Sequence, residues 1–129
     1  KGVLEDCRVV FDNYPNATWP YKRRAYAKFG LGDYPGAVQD YTKAIKNKPY
    51  DRELYVGRAL SNVNLDKPTE ALNDCDRALE IDDKYPEAYR VRGISKFKAD
   101  NIEGACMDWG KAGELGSDLA YEHIQEYCN

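Results

Sequence analysis

The sequence predicts an all-α fold, a stack of antiparallel helix pairs, and three observations predict it. Blocks of like layout recur at a constant interval: GAVQDYTKAI begins at Gly36, EALNDCDRAL at Glu70 and GACMDWGKAG at Gly104, each 34 residues after the last. Around and within these blocks, small and apolar residues fall at helical spacing in two runs, as Tyr21, Ala25 and Phe29 and then Ala37, Tyr41 and Ala44 do. Breakers separate the runs, GDYP at Gly32 to Pro35 and DKP at Asp66 to Pro68, each proline standing where a first helical turn tolerates it.

The elements follow in order. Residues 1–17 read as a partial unit, a lone second helix over Lys1 to Asn13 with Cys7 in register with Tyr41, Cys75 and Trp109, closed by Pro15. Three full units follow, 18–51, 52–85 and 86–117, each of two helices. Ala25, Ala59 and Gly93 mark the first helix of each unit and Ala37, Ala71 and Ala105 the second, small residues that let two helix backbones approach closely. Residues 118–129 read as a terminal helix with Ser117 as its N-cap, covering the last apolar face. A helix pair alone leaves such a face wet, so the units must stack.

The period and its small residues resemble the tetratricopeptide repeat (TPR) family over nearly the whole chain. Tyr21, Tyr55 and Tyr89 stand where the family has a large aromatic of the first helix, and Tyr41, Cys75 and Trp109 at the large core position of the second. Pro49 matches the closing proline; Asp83 and Ser117 depart from it. The resemblance implies a right-handed superhelical stack whose first helices line a concave groove for an extended or helical segment of a partner protein. Carried onto this chain, the groove positions are Trp19, Lys22, Tyr26 and Phe29, then Glu53, Val56 and Leu60, then Glu87, Arg90 and Ile94. These vary between units, as a surface for one ligand requires, although neutral surface varies too. Their mixture suits a peptide with apolar anchors and one or two acidic groups. One TPR class grips a C-terminal carboxylate with lysine, asparagine and arginine. The matching positions here hold Lys22, Tyr26, Gly57, Glu87 and Val91; only the first fits, which disfavours that mode.

Residues that recur in every unit serve the fold most simply. Arg24, Arg58 and Arg92 recur, and so do Asp40, Asp74 and Asp108 sixteen positions later, the pattern of a structural Arg–Asp ladder. Cys7 and Cys75 lie two units apart, beyond disulfide reach. Cys106 and Cys128 lie symmetrically about Ser117, opposite one another if the last two helices are antiparallel, and a disulfide is expected there. It would imply an oxidising compartment. The stretch from Gly104 to Cys128 also resembles the ending of TPR proteins from Bacteroidetes-type bacteria, which implies an exported, periplasmic or cell-envelope location, with the cytoplasm as the alternative.

No enzyme is expected. His123, flanked by Glu122 and Glu126, reads as solvated helix surface; no second histidine, CxxC or HExxH completes a metal site, and no cofactor motif is present. With 32% charged residues but a net charge of −3, the chain is not a general nucleic-acid binder, and KRRAYAK (Lys22 to Lys28) spreads its four cations around a helix. No apolar run approaches the roughly 20 residues that span a bilayer, so membrane insertion is not expected. The chain opens on Lys1, as a processed or trimmed N-terminus would. The expected function is a protein-interaction scaffold. A structural or oligomerising module stands beside it, dimeric through the N-terminal partial unit, and so does a regulatory appendage of a larger protein.

Overall fold

In a computed structural model, residues 19–128 are described, and they form seven helices joined by short turns. These are α1 (Trp19–Gly30), α2 (Tyr34–Asn47), α3 (Arg52–Asn64), α4 (Pro68–Ile81), α5 (Pro86–Lys98), α6 (Ile102–Glu114) and α7 (Asp118–Tyr127). Helices α1 and α2, α3 and α4, and α5 and α6 pack as pairs; α2 then packs on α3, α4 on α5, and α7 on α6. The fold is therefore an all-α stack of paired helices. The expected partial unit over 1–17, with Cys7 and any dimer contact it offers, lies outside the described residues. Among the described residues no helix is long and apolar enough to cross a membrane.

The turn within each pair repeats its backbone closure. Its left-handed residue is Gly32 (φ +82°), Asp66 (φ 60°) and Asp100 (φ 65°), at the 34-residue interval. The next residue's N–H bonds back five positions, Asp33 to Lys28, Lys67 to Asn62 and Asn101 to Lys96, at 2.8–2.9 Å. This Schellman closure satisfies carbonyls that a helix end leaves open. The same residue then caps the following helix where its chemistry allows: Asp33 accepts from the Gly36 N–H and Asn101 from the Gly104 N–H, whereas Lys67 makes no such bond. One residue closing one helix and opening the next leaves no slack for insertions, which holds the period constant. The two aspartates carry a left-handed strain of about 1 kcal/mol each.

The notches work as their size dictates. Ala25, Ala37, Ala59, Ala71 and Ala105 are wholly buried at the helix crossings. Gly93 replaces alanine where Trp109 is the neighbour, because a Cβ there would lie 2.5 Å from the indole Nε1. Tyr55 and Tyr89 anchor the turns between pairs by donating their hydroxyls to the carbonyls of Pro49 (2.7 Å) and Asp83 (2.9 Å).

The arginines and aspartates form forked pairs. Nε and Nη2 of Arg24, Arg58 and Arg92 each meet both carboxylate oxygens of Asp40, Asp74 and Asp108, at 2.7–3.0 Å. The remaining Nη1 reaches back one pair: Arg58 donates to Thr42 Oγ1 (3.1 Å) and Arg92 to Asp76 Oδ1 (3.0 Å). Each rung thus ties its own two helices together, and these two arginines also hold the preceding pair. Burial alone would raise the Asp40 carboxyl, but hydrogen bonds from Arg24 and Lys28 outweigh it and hold the pKa below its usual value.

Helix α7 closes the stack. A disulfide joins Cys106 of α6 to Cys128, with Cα atoms 5.9 Å apart, and pins the end of the helix. Cys75 is a buried free thiol whose pKa burial pushes up. His123 does not lie on solvated surface as its acidic neighbours suggested. Its ring lies 4.9 Å from that of Trp109, and its Nε2 is buried with no hydrogen-bond partner among the described residues. Burial, helped by nearby Arg90, holds its pKa below the usual value despite Glu122 and Glu126. The unfolded chain then binds this proton more readily than the folded one, so the histidine's contribution to stability falls as pH drops through about 6.5. Melting temperatures of wild type and His123→Phe are expected to diverge in favour of the variant between pH 7.5 and pH 5.5; parallel curves would contradict this.

Candidate binding groove

The first helices of successive pairs, α1, α3 and α5, neighbour one another along one face. Between them opens a pocket of about 500 Å³. Helix α1 contributes Lys22, Arg23, Tyr26 and Phe29; α3 contributes Glu53, Val56, Gly57 and Leu60; Tyr85 and Glu87 close the side toward α5, and Tyr41 of α2 forms part of the floor. Of the ten positions expected in the groove, seven are brought together here: Lys22, Tyr26, Phe29, Glu53, Val56, Leu60 and Glu87. Arg90 and Ile94 do not line the pocket. Arg90 is nearly buried, forked onto Glu87 at 2.9–3.1 Å, and Ile94 packs between two parts of the core. Trp19 begins α1, but its side chain lies outside the described part.

Four lining residues were not among the expected ten: Arg23, Tyr41, Gly57 and Tyr85. The signal was a glycine in mid-helix, which marks a close approach of another group. A Cβ at Gly57 would lie 2.4 Å from Tyr41 Cζ and 2.7 Å from its hydroxyl oxygen. The missing side chain therefore admits the tyrosine, 6% exposed, beneath α3, where it forms part of the pocket lining. That hydroxyl makes no hydrogen bond to a described residue. Burial, with Tyr26 and Glu53 adding to it, pushes the Tyr41 pKa up to about 12, so the group remains a donor at neutral pH.

Apart from Arg23, the charges at the rim are already matched. Lys22 Nζ lies 3.1 Å from Asp51 Oδ2 and 3.2 Å from Glu53 Oε1. Burial acts to lower the Lys22 pKa, but the two carboxylates raise it overall, so the ammonium stays charged. Glu87 is paired with Arg90, and Val91 is wholly buried. What is left open is mostly hydrocarbon and tyrosine ring, a surface for an apolar side chain.

No family model matches the chain. The DnaJ homolog subfamily C member 7 homolog of Dictyostelium discoideum is 34% identical over 98 residues, 73% of this chain and 18% of that protein. RNA polymerase II-associated protein 3 of Rattus norvegicus is 33% identical over 97 residues, 75% of this chain and 15% of that protein. The chain thus spans less than a fifth of the length of these curated relatives. Both are eukaryotic, and the expected Bacteroidetes-type origin finds no support in them. Among solved structures, the first TPR of Spaghetti (RPAP3), bound to the HSP90 peptide SRMEEVD, superposes with a TM-score of 0.79 at 28% identity, covering 85% of this chain and 89% of that one. The first TPR domain of human RPAP3 gives a TM-score of 0.82 at 28% identity, covering 88% and 91%. Together with this chain's own helix pairing, notch residues and period, these likenesses identify the chain as a tetratricopeptide repeat domain.

Proposed function

We propose that this domain is a protein-interaction module that holds a peptide segment of a partner protein between its first helices. The observation that carries this reading is the pocket of about 500 Å³ lined by Phe29, Val56 and Leu60 and edged by Tyr26 and Tyr85. Apolar and tyrosine-rich hollows with a polar rim are where binding energy concentrates in protein interfaces. The peptide held by the first TPR of Spaghetti supports a groove ligand of the same general kind, a short segment of another protein. The Cys106–Cys128 disulfide favours an oxidising, exported setting. A second reading, an interaction appendage of a larger protein, is favoured by one observation: the curated relatives carry the matching region as 15–18% of their length.

The test is a pull-down comparing wild type with the double variant Tyr26→Ala and Leu60→Asp. Tyr26 is 75% exposed and Leu60 half-buried, so the helical circular dichroism should survive. Proteins retained by the wild type are expected to fall at least tenfold with the variant, in line with loss of two anchor contacts worth about 1.4 kcal/mol or more together. Unchanged retention by a folded variant would move binding away from the groove.

A further inference from the structure

We propose that the pocket takes a large apolar side chain from the interior of a partner's chain, and that it excludes a free C-terminal carboxylate. This rests on the groove reading above and adds the kind of segment the groove accepts. A carboxylate needs unengaged cations or N–H donors that converge on it. Lys22, the one cation at a matching position, is held by both Asp51 and Glu53. Gly57 cannot be exchanged for a donor-bearing side chain, because Tyr41 fills the space its Cβ would enter. At the third pair the matching position holds Glu87, an acid already paired with Arg90, and the next candidate position, Val91, is wholly buried. A terminal carboxylate would therefore meet Glu53 and Glu87, already paired with Lys22 and Arg90, and no converging set of unengaged cations among the described residues.

An internal segment meets no such obstacle. Its apolar side chain fills the hollow among Phe29, Val56 and Leu60, while the Tyr41 hydroxyl donates to one of its main-chain carbonyls. Arg23 at the rim suits a single acidic residue beside the anchor. With the other rim charges paired within the protein, affinity comes from apolar burial and depends weakly on salt.

The experiment is selection of random peptides on the immobilised chain in two display formats, one with the peptide inside a longer polypeptide and one ending in a free carboxylate. Selected sequences are then synthesised as C-terminal acids and amides and titrated by fluorescence anisotropy against wild type, Leu60→Asp and Tyr41→Phe. Binders are expected from the internal format, carrying an aromatic or long aliphatic anchor. Their Kd should change less than about twofold on amidation and rise about 3- to 10-fold with Tyr41→Phe, the effect of one lost hydrogen bond. Binders that are lost with Leu60→Asp but weaken tenfold or more on amidation would overturn the inference while leaving the groove reading intact. Binders indifferent to Leu60→Asp, or none in either format, would overturn both.

Discussion

Replacing Trp109 by alanine lowers the free energy of unfolding by about 3–5 kcal/mol, the largest single loss expected in the chain. The indole is 1% exposed and joins three elements. It packs on Phe97 of α5 and on His123 and Tyr127 of α7, with ring centroids 4.9–5.9 Å away, and its Nε1 donates to the Arg90 carbonyl at 3.1 Å. Removing it deprives the Arg90 carbonyl of its second donor, leaving only the bond within its own helix, and opens a void that the surroundings close poorly, because the Cys106–Cys128 disulfide keeps α7 from settling inward. Trp109→Phe should cost less, since a ring remains and only the hydrogen bond and part of the volume are lost. Urea titrations followed by circular dichroism measure both. A loss below about 1 kcal/mol for the alanine variant would mean that α7 is not held through this ring.

The same residues mark how far the sequence could be read. The fold was legible because its cause is periodic: a small residue at each crossing and a breaker at each turn repeat at 34-residue steps, and helical spacing needs nothing else to be recognised. The forked rungs were legible for the same reason. Non-periodic features were harder. His123 looked solvated between Glu122 and Glu126, yet Ala120, His123, Ile124 and Tyr127 stand at helical spacing on one face, and that face lies against Trp109. In the groove, register placed seven of ten residues at the pocket, because register fixes which side of a helix a residue occupies. It does not fix what a side chain does on arrival. Arg90 folds back onto Glu87 three residues earlier, and Ile94 is drawn into the core. Tyr41 was assigned to the core and is nearly buried there, but its ring end fills the gap at Gly57 and the residue lines the pocket, a contact between helices that no single helix pattern contains.

Replacing Arg58 by methionine is expected to cost about 3 kcal/mol, clearly more than the same change at Arg24 or Arg92, although all three arginines occupy one register. The reason lies in what each change leaves behind. Asp40 keeps Lys28 at 3.2 Å when Arg24 is removed, and Asp108 keeps Lys96 at 3.0 Å when Arg92 is removed. The corresponding residue for the middle rung is Asn62, which carries no charge, so Asp74 is left nearly buried without a cation. A buried carboxylate stripped of its partner pays its desolvation uncompensated, whereas the outer two keep an ammonium and should lose about 1–2 kcal/mol. Replacing both members of the middle rung, Arg58→Met with Asp74→Leu, removes the stranded charge and should recover at least half of the loss. Equal destabilisation by all three arginine variants, or no recovery in the double variant, would show that the rungs act by packing of the arginine stems rather than by charge. The ordering also bears on binding, because α3 supplies both the middle rung and the Val56, Gly57 and Leu60 wall of the pocket. Loosening Arg58 should therefore weaken groove ligands at temperatures well below the melting transition, and more than Arg92→Met does, because α5 supplies only Glu87 to the lining.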